Sequence, residues 1–362
     1  MHKKLLIGLL TGTMVVSAAI GFAACDWFSD DAGDGTVESQ PPAPVAGTEG
    51  LEYTLSDDET YYIATGIGAC TATEIVIGNT HQNLPVLEIG EESFGECEQL
   101  TSIVISEGIT SIQYASFYAC TGLTSVTIPS SVTSIGNNAF ALCEGLTELT
   151  IPNKVTDIGE YTFYGCSGLT EFMIPSSITS IGEYSFALCD GFTSITIPNN
   201  VTSIGEGAFA YCSALTSITI GSGVTSIGDI AFVGSSVLES ITVESGNAVY
   251  HSVKNCLIET ATKTLIQGCK TSIIPSDNSV TSIGRQAFAA CSELTEIEIP
   301  SDIEKLGDYI LAWCDNLERI EYGGTMAEWL AIEKDEDWDA GIEDVIIVCT
   351  DGKLDKEGNK IE

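Results

Sequence analysis

Phe94, Phe117, Phe140, Phe163, Phe186, Phe209 and Phe232 follow one another at a constant spacing of 23 residues, and Cys97, Cys120, Cys143, Cys166, Cys189 and Cys212 keep the same step. A period held that long without a slip restricts the chain to a solenoid. Each coil is too small to bury its own apolar side and closes its core only against its neighbours.

One coil can be read from Phe192 to Ala214. Its opening, Phe192-Thr-Ser-Ile195-Thr-Ile197-Pro198, places Ile195 and Ile197 on one side of a short strand and Ser194 and Thr196 on the other. Pro198, like Pro129, Pro152, Pro175 and Pro300, stands where the strand must end, because proline has no N–H to give to a ladder. A second apolar pair, Val201 and Ile204, precedes Gly205, the equivalent of Gly136, Gly159, Gly182, Gly228, Gly284 and Gly307. That glycine is expected to take a corner with positive φ. Phe209 and Cys212 then face inward from a tight turn, so stacking should align a phenylalanine column and a cysteine column.

The run Val-Thr-Ser-Ile-Gly, Ala-Phe-x-x-Cys, Leu-x-x-Ile-x-Ile-Pro resembles the BspA-like, treponemal-type leucine-rich repeat of bacterial surface proteins, over roughly Tyr53 to Trp329. The resemblance implies a β-rich, right-handed leucine-rich-repeat stack with a parallel sheet on one face. It further implies surface display, protein binding and adhesion, with no shared catalytic residue.

Residues 1–24 read as an export signal, with Lys3 and Lys4 ahead of an apolar run. The sequence Phe22-Ala-Ala-Cys25 resembles a bacterial lipobox that would make Cys25 the lipidated first residue. Ordinary secretion is the alternative; membrane contact is expected through lipid on Cys25. Residues 25–50, with Asp30, Asp31, Asp34 and Pro41-Pro42, have the composition of a disordered tether. Residues 51–93 read as an N-terminal cap, a hairpin of Tyr53–Leu55 with Thr60–Ile63, followed by an irregular first repeat. The solenoid spans 94–322.

The interval from Phe232 to Phe288 exceeds two periods, so an insertion of about 244–273 is expected, a hairpin of Asn255–Glu259 with Thr264–Lys270 protruding from the stack. Residues 323–362 read as a C-terminal cap, with a short helix from Met326 to Ile332 that turns Trp329 inward, a closing strand near Val345–Val348 and a frayed acidic tail after Lys353.

A net charge of −38 argues against nucleic acid as a partner, since both would be polyanions. Thirteen cysteines in an exported chain raise the question of disulfides. Stacked equivalents project in parallel, which favours free buried thiols; Cys256 with Cys269 is the best remaining disulfide pair. A zinc site of His251, Cys256 and Cys269 lacks a fourth ligand and the usual paired spacings. Gly66-Ile-Gly68 lacks the frame of a dinucleotide loop, Asp30, Asp31 and Asp34 lack a full calcium-loop pattern, and Asp335-Glu336-Asp337-Trp338-Asp339 offers calcium ligands but is expected to be a solvated acidic loop. No catalytic residue, metal or cofactor is expected.

The outward strand rows therefore carry the functional expectation. They comprise Ser125, Thr127, Glu148, Thr150, Glu171, Met173, Ser194, Thr196, Ser217, Thr219, Ser240 and Thr242, a low-relief lattice of hydroxyls and acids that either binds a ligand or merely keeps the sheet soluble. Tyr118, Tyr161, Tyr164, Tyr184, Tyr211 and Trp313 form a second candidate patch, or a shield for the turns. The expected function is a monomeric, lipid-anchored surface protein that docks an extracellular protein or glycan, with adhesion added by the resemblance. An envelope hydrolase with an unmarked acidic pair and a purely structural surface protein remain alternatives.

Overall fold

The computed structural model describes residues 41–342 and 344–362; the export signal, Cys25 and most of the expected tether lie outside the described residues. The fold is a β-solenoid of about 12 turns with 23-residue spacing. Each regular coil supplies two short strands. Ser194–Ile197 pairs in parallel with Ser217–Ile220, and that with Ser240–Val243, in a register that sets Ile195 beside Ile218 and Thr196 beside Thr219. On a second side Ser180–Ile181, Ser203–Ile204 and Ser226–Ile227 stack the same way.

The expected columns are present. Phe94 to Phe232 stack ring on ring, with centroids 5.2 to 5.7 Å apart and planes within 19° of parallel. The cysteines of the described residues are free thiols. Their Sγ atoms donate to the phenylalanine carbonyl of the preceding coil, from Cys120 to Phe94 at 3.0 Å, from Cys166 to Phe140 at 3.1 Å and from Cys212 to Phe186 at 3.2 Å. Each thiol therefore fills a small apolar slot and also ties two coils. Ser235 occupies the same position one coil later, and its buried hydroxyl has no partner. Cys256 and Cys269, the expected disulfide candidates, are both buried and unbonded.

Threonines add a third tie. Thr124 Oγ1 donates to the Thr101 carbonyl, Thr216 to Thr193, and on the other side Thr202 to Thr179 and Thr225 to Thr202. These threonine hydroxyls, each just ahead of a strand, are thus occupied within the stack.

The repeated glycine has a different role from the expected corner. Gly182, Gly205 and Gly228 are not in the positive-φ region. A Cβ on them would lie 2.6, 2.6 and 2.4 Å from the backbone of the preceding coil, so glycine is needed for close approach. Positive φ falls instead two residues before and two after each phenylalanine, at Tyr161 (54°), Tyr184 (50°) and Ile230 (52°), and at Leu142, Leu188 and Tyr211 (59° each). Such a conformation costs on the order of 1–2 kcal/mol per non-glycine residue. It aims alternate N–H groups at the next coil: Tyr161 N to Glu183 O at 2.9 Å, Phe163 N to Ser185 O at 2.9 Å and Gly165 N to Ala187 O at 2.8 Å. Intercoil hydrogen bonds offset the strain.

The insertion differs from expectation in its placement. Cys256–Glu259 and Thr264–Gln267 do form the hairpin, joined by Tyr250–Val253 in an antiparallel sheet. It is built into the stack and does not protrude. Leu257 and Cys269 pack on the N-terminal core, while Cys256, Ile258 and Leu265 pack on the C-terminal one. Alternation along a strand gives it two apolar faces, so it acts as a partition. Asn247 anchors it by donating to the carbonyls of Gly221 and Val224 at 3.0 Å, and Lys270 bridges Glu239 at 3.0 Å and Glu293 at 2.8 Å, one on either side.

Both ends are capped. The N-terminal hairpin is Glu52–Leu55 with Tyr62–Gly66, but ordered contact begins before Leu51, where Val45 N donates to Asn79 Oδ1 at 2.7 Å and Thr48 N to Val76 O at 2.8 Å. At the other end Thr325 caps the helix Met326–Ala331, which buries Trp329 against Tyr322 and Trp338. The expected frayed tail is instead a strand, Lys360–Ile361, paired with Gly352–Leu354. Tail and helix close the open end because an unpaired terminal strand would invite edge pairing.

Burial pushes the thiols of Cys120, Cys166 and Cys212 up to about 12, and those of Cys143 and Cys189 well above the usual range. Below about pH 8.5 a thiol is protonated in both states; above it the unfolded chain releases protons that the column retains. Stability should therefore fall as pH rises, by up to about 1.4 kcal/mol per pH unit for each fully buried thiol. Urea denaturation at about pH 8 and about pH 10 should show a lower midpoint at the higher pH, with a smaller drop in a Cys143→Ala/Cys166→Ala chain.

Candidate binding face

The strand face is positioned by period-2 alternation. Ile195, Ile197, Ile218 and Ile220 are buried, so Ser194 and Thr196 stand outward beside Ser217 and Thr219. Unlike Thr124, Thr202, Thr216 and Thr225, whose hydroxyls tie coils, the hydroxyls of Ser125, Thr127, Ser194, Thr196, Ser217, Thr219, Ser240 and Thr242 make no hydrogen bond among the described residues. They are set in register at one strand spacing, about 4.8 Å.

All twelve residues expected on this face lie there, but in two groups. Ser194, Thr196, Ser217, Thr219, Ser240 and Thr242 form a continuous three-stranded sheet. Ser125, Thr127, Glu148, Thr150, Glu171 and Met173 line an open groove of about 800 Å³, together with Ile128, Leu149, Ile151, Asn153, Ile174, Pro175 and Ser176.

The groove exists because the ladder lapses. Glu148–Leu149 ends one sheet and Ser194–Ile197 begins the next. Among the described residues no backbone hydrogen bond joins 170–174 to the coil before or after it. The cause is local composition. Phe172 takes the inward strand position that Val126, Leu149, Ile195 and Ile218 fill elsewhere, and Phe192 takes that of Leu169 and Leu215. Phe172 wedges against Phe163, Phe186 and Phe192, with centroids 5.6, 5.1 and 6.0 Å away. The ring is too large for two-sided pairing at that coil, and Met173 is left 87% exposed.

Charge is unevenly placed. Lys154 is the one lysine or arginine between Pro41 and Val253, and the ion pairs of the described residues all use Lys270, Arg285, Lys305 or Arg319. Arg319 bridges Glu296 and Glu321, which partly offsets the charge at the acidic end of the strand rows. Glu148 and Glu171, in the groove, have no such partner among the described residues.

The tyrosine patch is mostly structural. Tyr161 and Tyr184 stack at 5.2 Å, and Tyr184 donates to Glu206 at 2.8 Å; burial, followed by this acid, pushes its hydroxyl up to about 12. Tyr164, Tyr184 and Tyr309 roof a seam of Ala187, Ala210, Val233, Ala289 and Ala312. The rings of Tyr184 and Tyr211 occupy the space a Cβ would need at Gly207 and Gly234, one coil on. Tyr211 and Trp313 remain 44% and 48% exposed.

Sequence reasoning placed the face and missed its discontinuity. The signal was available in Phe172 and Phe192, two bulky departures in consecutive coils.

The family described as the BspA type leucine rich repeat region matches residues 69–190, 135–256 and 259–329. Among solved structures, a leucine rich cell surface protein from Faecalibacterium prausnitzii is similar at 26% identity and a TM-score of 0.64, over 82% of this chain and 99% of that one. A leucine-rich repeat protein from Bacteroides ovatus (24% identity, TM-score 0.54, 83% and 70% covered) and the pneumococcal vaccine antigen PcpA (19%, 0.52, 78% and 70%) share the fold. No curated protein sequence matches. With the repeat model spanning most of the chain, the protein belongs to the BspA-type leucine-rich repeat family of bacterial surface proteins.

Proposed function

We propose that this chain is a lipid-anchored surface protein that binds an extracellular protein through its strand face, in adhesion to a host or to neighbouring cells. The observation that carries the reading is the division of labour among hydroxyls. Those that tie coils together are occupied, whereas the outward hydroxyls of Ser194, Thr196, Ser217, Thr219, Ser240 and Thr242 are free and set in register by the strand pairing. A backbone already held by strand pairing has little ordering entropy to lose on binding. No helix among the described residues is long and apolar enough to cross a membrane, and a lipid on Cys25 would supply attachment.

Binding of the purified protein to a panel of matrix proteins and glycans should be saturable and should weaken at least about tenfold, roughly 1.4 kcal/mol, in a Thr196→Lys/Thr219→Lys chain. Identical binding by that chain removes the strand face from consideration, and no saturable binding to any member favours a purely structural surface protein. Growth with a labelled fatty acid should mark the wild type and leave Cys25→Ala unmarked; equal labelling of the two refutes lipidation at that position.

A further inference from the structure

We infer that the groove at residues 148–176 is a docking slot for an extended segment of polypeptide rich in lysine or arginine. This deepens the proposed strand-face function and rests on it. Three observations converge there.

The first is unpaired backbone. Glu148–Leu149 is the terminal strand of one sheet and Ser194–Ile197 of the next, and residues 170–174 between them bond to neither. Strand edges of this kind accept an added strand, whose main chain supplies the missing donors and acceptors. The second is the lining. Leu149, Ile151 and Ile174 form an apolar floor and Met173 a flexible, exposed apolar wall, suited to alternate side chains of a strand. No aromatic ring lines the groove to stack on a sugar. The third is charge. Glu148 and Glu171 flank the floor unpaired, in a part of the chain whose one lysine or arginine is Lys154. A carboxylate pair in that field attracts a cationic segment and repels an acidic one.

Phe172 gives a test that leaves every groove carboxylate in place. Phe172→Ile restores the residue type of the neighbouring coils, so 170–174 should rejoin the ladder and the slot should close. Fluorescence anisotropy would use a short labelled peptide of alternating lysine and valine, the same peptide with N-methylated backbone amides, and a glutamate–valine control.

The wild type should bind the lysine peptide saturably and neither of the other two. Phe172→Ile and Glu148→Lys/Glu171→Lys should each lose at least about tenfold in affinity, whereas Thr196→Lys/Thr219→Lys should lose less. Equal binding of the N-methylated peptide would overturn the inference, leaving charge attraction alone. So would undiminished binding by Glu148→Lys/Glu171→Lys, a variant of exposed positions that does not depend on how Phe172→Ile folds. Competition by a neutral oligosaccharide at the same site would likewise overturn it in favour of a glycan. If no peptide binds while a matrix protein is still lost in Thr196→Lys/Thr219→Lys, the slot falls and the broader strand-face function stands.

Discussion

The structure depends on contact between successive coils. A coil of this length has no interior of its own, so its rings, thiols, threonines and backbone are all directed at neighbours. Phe140 lies over Phe163 at 5.7 Å and Phe163 over Phe186 at 5.3 Å, and removing one such ring should cost about 3–5 kcal/mol. The same demand explains two features that look unfavourable in isolation. Glycine follows the Ser-Ile strands at 182, 205 and 228 because two backbones meet there, and side chains as poorly suited as Leu142 and Leu188 accept positive φ because the turn sends its N–H groups to the next coil.

Function follows from what this economy leaves over. The regular coils turn most of their hydrogen-bonding groups to a neighbour, and the hydroxyls on the outside of their strands are free. The regular rows from Ser194 to Thr242 give a flat surface, and the interruption at Phe172 gives a groove with unpaired backbone and an exposed methionine. A repeat protein can tolerate such a lapse because the phenylalanine turn stays bonded across it, with Phe140 N on Thr162 O and Phe163 N on Ser185 O at 2.9 Å. The insertion is a second interruption, managed differently. Its two-faced strand Cys256–Glu259 lets one core end and another begin without exposing either.

Much of this was legible in the sequence, because a period is a geometric statement. Equal spacing of Phe94 through Phe232 required a column, parallel projection of equivalents argued for free thiols, and Trp329 in a short apolar helix marked a cap. What was not legible depends on neighbours that are distant along the chain. Glycine at 205 is equally compatible with a corner or a close approach, and only the position of Glu183 decides between them. The insertion looked like a projecting hairpin because a strand buried on both faces and a free hairpin can share a pattern. Asn359 and Lys360 gave no sign of the strand pairing that holds the tail. Lipidation at Cys25 lies outside the described residues.

Nearest-neighbour stacking is tested most directly by amide hydrogen exchange on a Phe163→Ala chain compared with the wild type. Loss of protection should concentrate in the coils that touch residue 163, roughly residues 134 to 190, while the amides of Ser217–Ile220 and of Arg319–Tyr322 keep theirs. Equal loss of protection from the N-terminal hairpin to the C-terminal helix would contradict the account, since it would mean that the coils form one indivisible unit.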